Sequence, residues 1–346
     1  MSRTKITDKM NGRHVTDTSQ VSRKGWQEFV DKHEHGTVFH TPYIYDVYAT
    51  TPNFTPFAFF CVDSKGGIEA MLSGYLQTVK PGILSGISTR SVMQQSPIYN
   101  YLESLKHLLD YYKKWASGKA VYTEIRNHII DEDYSKCLQD CKFKWENHLN
   151  IHVDLTQSTD ELWSQVHSKR RNEIRKAEKN GVTVRVIDHK DLYTAYLILK
   201  QVYDRARLPL LPFTFFELAS ELSSQGSGLV AYGAFFEDRF IGTMITLQFK
   251  GVVYDLFAGS LSEFYTKNPN DIIPWEVFKS SKINGYHCFD FGGAGKPEMA
   301  YGVRDYKLKF GGNMANYGRF HNIHKPLLYK TAIFGFKLLQ KMKRNI

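Results

Sequence analysis

The spacing of apolar and polar residues along the chain predicts strands and helices in alternation. Residues 57 to 68, and again residues 231 to 243, read as strand, tight turn, strand. Both carry Ala-Phe-Phe, beginning at Ala58 and at Ala234, then an acidic turn and an apolar strand, about half of the 346-residue chain apart. Amphipathic helical spacing surrounds each hairpin, over 102–116 in the first half and over 190–205 and 214–224 in the second. The stretch 168–181, "SKRRNEIRKAEKNG", is rich in helix formers, lacks proline and stops at Asn180-Gly181. "VTVRV" follows, with Val182, Val184 and Val186 on one face of a strand. The pattern predicts an α/β chain with mixed sheets and two similar halves that meet near "NIHVDLTQSTDEL".

Residues 252 to 312 carry the most informative pattern. An apolar strand ends in a Gly-Ser turn, a helix begins at Asp271 with Pro274 in its first turn and stops at Asn284-Gly285, and a strand closes in Phe-Gly-Gly. Strand, helix, strand implies a parallel crossover, whose ligand crevice lies beyond the carboxyl ends of the strands. Gly259, Gly292 and Gly293 fall there, where glycine lets a substrate approach the backbone.

Charge changes this picture by suggesting partners. The formal net charge is +10, which makes anionic partners plausible. The helix at 168–181 concentrates Lys169, Arg170, Arg171, Arg175, Lys176 and Lys179 against Glu173 and Glu178. It reads either as a solvated amphipathic helix or as a phosphate-facing one, with Arg171 and Arg175 on one face. The tail from Lys325 interleaves basic and apolar residues, so it reads as a helix docked on the first domain or lying on an anionic membrane surface. Residues 1–20 are polar and lack an apolar signal core, which predicts a disordered leader and a cytoplasmic setting. No apolar run reaches the ~18 residues of a spanning helix.

Several strings carry no chemistry. Gly-Lys in "GGAGKPE" lacks the glycine and the hydroxyl residue of a phosphate loop, and no metalloprotease, hydrolase or dinucleotide motif is present. Cys61, Cys137, Cys141 and Cys288 show no metal-ligand spacing and are expected to be reduced thiols; no metal site is predicted. His33 and His35, in a polar segment, read as solvent-facing.

Five strings stand in the order of the Fem-type peptidyltransferases of the acetyltransferase (GNAT) superfamily: Tyr254-x-Leu-x-Ala-Gly-Ser260, Ile273-x-Trp275-Glu276-Val277, Asp290-Phe-Gly-Gly293, Tyr306-Lys307-x-x-Phe310-Gly311 and Tyr317-Gly-x-Phe320. "RRNEIRKAEKNGVTVRV" also resembles that family's signature, and "TVFHTPYIYDVY" at 37–48 resembles its entry to the first domain. The resemblance covers roughly 37 to 320. It implies tandem GNAT-like domains, 21–155 completed by 321–346 and 156–320, with no long helical arm because no pair of long helices fits between 190 and 230. Family members transfer an amino acid from aminoacyl-tRNA to a lysine amine of a peptidoglycan precursor. Two departures concern the acceptor. "SPIYN" at 96–100 lacks the acidic group of the family's first domain, and the segment after Arg205, which matches a family arginine, offers Leu211 and Phe215 where polar contacts are usual.

Acyl transfer to an amine needs a donor for the tetrahedral oxyanion and a route for the amine's proton. Lys307, at the position of the family's strand lysine, is the first candidate donor and Tyr254 the second; Asp290 would orient Lys307 or take a proton. Lys309, two residues along the same predicted strand, is expected to matter little. Arg171, Arg175, Arg205 and Trp275, with the three glycines, are expected to bind substrate. No nucleophile and base pair is evident, so direct transfer is expected. "YTKNPNDIIPWEV" lacks the glycine loop by which coenzyme A enzymes hold pyrophosphate, which favours aminoacyl-tRNA as donor with acyl-CoA as the second candidate, and no bound cofactor. The expected function is amide formation on an amine of a cell-envelope precursor, lipid- or nucleotide-linked. The alternatives are a coenzyme A-dependent N-acyltransferase acting on an amino sugar of a surface polysaccharide, and a non-catalytic RNA- or membrane-binding module.

Overall fold

The computed structural model describes residues 12–78, 88–129, 131–224 and 226–331. The chain divides into two compact units, one formed by residues 1–146 and 317–346, the other by residues 147–316.

The first unit is built on β1 (His14–Asp17), β2 (Phe54–Val62), β3 (Ile68–Thr78), β4 (Thr89–Met93), β5 (Ile98–Tyr99), β6 (Tyr122–Arg126), β7 (Lys144–Glu146) and β15 (Arg319–Ile323). Its sheet runs β1-β2-β3-β4-β6-β15-β7, with β5 paired to β3. Helices α1 (Arg23–Lys32) and α2 (Pro42–Thr50) start on Ser22 and Thr41, whose hydroxyls accept from the first-turn amides of Gly25 and Ile44. Strands β4 and β6 are parallel, joined through α3 (Leu102–Ser117). Leu105, Leu108, Leu109 and Tyr112 repeat at helical spacing along α3 and pack on Leu72, Leu76, Met93 and Ile125. Helix α4 (Glu132–Asp140) closes the same core.

The second unit contains β8 (Leu149–Asp154), β9 (Thr183–Val186), β10 (Gly228–Phe236), β11 (Arg239–Phe249), β12 (Val252–Ser260), β13 (Cys288–Gly293) and β14 (Asn313–Asn316), in the order β14-β8-β13-β12-β11-β10-β9. Its helices are α5 (Thr159–Gln165), α6 (Ser168–Lys179), α7 (His189–Ala206), α8 (Phe213–Glu221), α9 (Pro269–Ile283) and α10 (Gly302–Leu308). Strands β12 and β13 are parallel, with α9 as the crossover. Trp275, Val277 and Phe278 of α9 meet Phe289, Phe291 and Val253 of the sheet, and α6 adds Ile174 and Ala177 to that core. Helix α7 covers β11 and β12 with Leu192, Ala195, Ile198 and Leu199 buried.

The two sheets repeat one plan. The succession β2-β3-β4-β6-β15-β7 and the succession β10-β11-β12-β13-β8-β14 match in the sense of every pairing, including the single parallel step. The Ala-Phe-Phe strings lie on β2 and β10, which are corresponding strands.

Two expectations are corrected and a third is met over the described residues. Residues 12–20 of the expected disordered leader are ordered: β1 pairs with β2, and the Arg13 guanidinium bonds Glu69 and Glu103. Residues 1–11 lie outside the described residues. The boundary falls after Glu146 because β8 pairs with β13 and β14, and the returning segment begins at 317, with β15 between β6 and β7. Of the expected C-terminal helix, 326–331 is helical and Tyr329 packs edge-on against Tyr122 with centroids 5.3 Å apart; 332–346 lie outside the described residues. Among the described residues, no helix is long and apolar enough to cross a membrane.

Candidate active site

The site grows from the parallel pair in the second unit. Registered pairing of β12 with β13 runs from Val252/Cys288 to Tyr254/Asp290, although β12 continues to Ser260 and β13 to Gly293. Two local features part the strands. Leu256 is an extra residue in β12, between Asp255 opposite Thr246 and Phe257 opposite Ile245. Gly292 takes a left-handed conformation, φ +70°, which a side chain would strain.

Alternation along β13 sends Phe289 and Phe291 into the core, leaving Asp290 on the other face. There the Asp290 carboxylate accepts from the Gly292 amide at 2.6 Å and pairs at 3.3 Å with Nε2 of His152, its register partner on β8. Burial alone would lower the His152 imidazole, but the hydrogen bond and charge of Asp290 outweigh it and the ring is raised. The buried Tyr254 hydroxyl is pushed far up, first by burial and then by Asp290 and Cys288, so it remains a proton donor at neutral pH. Next to it, Asp255 is pushed up to about 6 by burial, with Asp290 adding to the effect and Lys307 opposing it.

Lys307 comes from α10 and corrects the expected strand: this lysine, with Tyr306 and Leu308, lies in a helix, and Lys309 is its C-cap. The Lys307 ammonium donates to the Phe291 carbonyl at 2.5 Å and to the Gly293 carbonyl at 3.1 Å, which fixes a cation at the carboxyl end of β13. Tyr306 donates its hydroxyl to the Asn270 carbonyl at 2.5 Å and so ties α10 to the start of α9. From the predicted set, the structure thus places Lys307 with Gly293 at the end of β13, and Tyr254 beside Asp290, whose carboxylate holds the Gly292 amide.

The remaining predicted residues make contacts of the scaffold, with Arg175 and Arg205 exposed. The Arg171 guanidinium donates to the carbonyls of Trp163, Ser164 and Val166 and caps the end of α5. Arg175 sits over the Trp163 ring, 5.2 Å from its centroid. Trp275 is buried in the core, with its ring 4.7 Å from that of Trp163. A Cβ at Gly259 would stand 2.9 Å from Val202, so this glycine admits α7 against β12 and not a ligand. Arg205 is exposed at the end of α7 and bonds the Tyr265 hydroxyl. Asp255 and His152 are the members that sequence reasoning missed. The available signal was a carboxylate interrupting the apolar strand "VVYDLFAGS", and a histidine at the alternate position of "NIHVDL".

The start of α9 bears on the donor. Pro269 supplies no amide hydrogen, and the amides of Asp271 and Ile272 bond the Asn268 carbonyl. The buried Asp271 carboxylate occupies the first turn and is paired with Arg170, whose guanidinium also lies over the Tyr306 and Phe310 rings. A pyrophosphate placed here would meet that carboxylate.

Residues 164–308 match the acetyltransferase (GNAT) domain family. No curated protein matches the chain in sequence. Among solved structures the chain is similar to FemX, at 16% identity and a TM-score of 0.71, over 90% of this chain and 98% of that one. It is similar to the C-terminal domain of an Agrobacterium fabrum protein provisionally named a lysylphosphatidylglycerol synthetase, at 13% identity and a TM-score of 0.59, over 92% of this chain and 96% of that one. A tandem GNAT protein from the clavulanic acid biosynthesis pathway is similar at 8% identity and a TM-score of 0.56, over 90% and 98% of the two chains. These are likenesses of fold, and the fold is the tandem GNAT-like arrangement, with no long helical arm among the described residues.

Proposed function

We propose, from an acetyltransferase (GNAT) domain set in a FemX-like tandem fold, that this acyltransferase joins an aminoacyl group to an amine of a cell-envelope precursor. The observation that carries the reading is the Lys307 ammonium, fixed at the end of β13 near a carboxyl group with a raised pKa. The acceptor amine attacks the donor's ester carbonyl, forming the C–N bond and an oxyanion that Lys307 and the Tyr254 hydroxyl stabilise. Asp255, near neutral in affinity for a proton, takes the one the amine sheds and returns it to the departing ester oxygen. Proton count and charge balance over the cycle. His152 holds Asp290, which in turn holds the Gly292 turn.

The blocked start of α9 supports aminoacyl-tRNA over acyl-CoA as donor. The family match to acetyltransferases supports the second reading, acyl transfer from coenzyme A to an amino sugar. Transfer assays with aminoacyl-tRNA and with acetyl-CoA, on an amine-bearing envelope precursor and on an amino sugar, separate the two. Transfer only from acetyl-CoA would replace the first reading with the second. In whichever assay is active, Lys307→Met should lower kcat by roughly 10²- to 10³-fold, the cost of one oxyanion donor. A rise in KM with kcat unchanged would reduce Lys307 to a substrate-binding group.

A further inference from the structure

His33 and His35, expected to face solvent, belong to a row of imidazoles in the first unit. Ring centroids lie 5.9 Å apart for His33 and His35, 6.2 Å for His35 and His128, and 5.8 Å for His128 and His40. His40 is buried and the others are partly so. Three of the rings share one pattern, and Nδ1 of His40 also lies 3.0 Å from the Thr37 hydroxyl, which can donate to it. Nδ1 of His33 accepts from the His35 amide at 3.1 Å, Nδ1 of His40 from the Thr37 amide at 3.1 Å, and Nδ1 of His128 from the Ser96 amide at 3.2 Å. Each opposite nitrogen faces a backbone carbonyl: Tyr99 at 3.1 Å, Ser96 at 2.8 Å and His35 at 2.9 Å.

A carbonyl can only accept and a backbone amide can only donate, so these partners dictate the state of the rings. All three must be neutral, with the hydrogen on Nε2 and the lone pair on Nδ1. A second proton on any of them would set an N–H against an N–H and break the amide bond. The bonds form one circuit through three segments of the unit, 33–40, 96–99 and 127–128. Other groups facing the row are the Tyr99 hydroxyl, pushed up to about 12 chiefly by burial, the Tyr134 hydroxyl, which bonds Asn127, and Asp131, which accepts from Tyr99 and the Tyr134 amide. Phe29 covers His33. The tyrosines keep their protons throughout the histidine range, so the imidazoles are the groups in the circuit whose charge changes there.

We infer that the row is an acid-released latch: neutral His33, His40 and His128 hold segment 33–40 on segments 96–99 and 127–128, and protonation below the ordinary histidine range lets it go. The inference is independent of the catalytic reading. Because the unlatched state carries the additional protons, the latched state is favoured at pH 7 and above and is lost as pH falls below about 6.5. Release that takes up more than one proton makes the opening constant rise more than about tenfold per pH unit.

The test uses the full chain with ¹⁵N-labelled histidine, between pH 8 and pH 5. Imidazole shifts at pH 7.5 should show His33, His40 and His128 as neutral Nε2–H tautomers. Exchange protection of the His35, Thr37 and Ser96 amides, corrected for intrinsic rate, should collapse together below pH 6.5 with that steep slope. His128→Asn offers a carbonyl oxygen to the Ser96 amide but does not titrate, and should lower the slope by one proton. An Nδ1–H tautomer at any of the three, protection that does not change with pH, or a slope of tenfold per unit or less would overturn the latch. The parent chain alone decides the question if the variant does not fold.

Discussion

Asp255 shows what one residue gains and costs by its position. Held at about 6 against an unfolded value of 3.8, it binds its proton more tightly in the folded chain. Its contribution to stability is complete below the unfolded value and lost as pH rises through about 6. Asp255→Asn keeps the shape and never ionises. It should be more stable than the parent at pH 8 by on the order of 1–3 kcal/mol, and about equal to it at pH 4, in thermal or denaturant unfolding. If Asp255 takes the amine's proton, the parent's transfer rate should rise as pH passes about 6, and the same substitution should remove that rise. An advantage over the parent no larger at pH 8 than at pH 4 would mean that the carboxyl is not held in the neutral form. A pH-rate profile left intact by the substitution would assign the amine's proton elsewhere. The carboxyl could not be singled out from the string "VVYDLFAGS", because its raised value comes from burial and Asp290 against the opposing charge of Lys307, and both of those residues are distant along the chain.

At the scale of elements, the basic helix α6 separates charge from role. Two of its arginines look inward, Arg170 to Asp271 and Arg171 to the end of α5, while Arg175 is exposed and lies over the Trp163 ring. Lys169, Lys176 and Lys179 are exposed. Arg171→Ala should cost about 1–3 kcal/mol in unfolding free energy, since it strips bonds from three carbonyls, and should leave the salt dependence of tRNA affinity unchanged. Replacing the three lysines by alanine should leave stability nearly unchanged and flatten that salt dependence by up to about one unit of slope per lost phosphate contact. The reverse pattern, a flattened slope from Arg171→Ala alone, would restore the arginine to the role its charge suggested. The helix itself was legible, because propensity and stop signal lie within its own residues. The partners were not, because a guanidinium suits a phosphate, a carbonyl or an indole face equally well. The Lys307 segment shows the converse: Tyr306, Leu308 and Phe310 alternate with lysines as a strand would, yet the Tyr306 bond to Asn270 and burial of Phe310 go with helix.

In the whole molecule, duplication was legible because the Ala-Phe-Phe hairpin is a local pattern repeated on corresponding strands. The exact points of crossing were not, since β7 and β8, and again β14 and β15, are neighbours in the chain that enter different sheets. A fragment of residues 147–316 holds every strand of its sheet and should fold, whereas residues 1–146 lack β15, an interior strand whose Phe320 is fully buried, and should not. Circular dichroism and amide spectra of the two fragments check this, and a cooperatively folded 1–146 would show that β15 is dispensable. The position of β15 also sets an order in time. A chain made from its amino terminus presents nearly all of the first unit early, but that sheet stays open between β6 and β7 until residues 319–323 emerge, after the whole of the second unit. Assembly then runs against the direction of synthesis: the half made later closes first, and the half made earlier waits, its strand edges unpaired, for the span of time in which a folding helper could bind it.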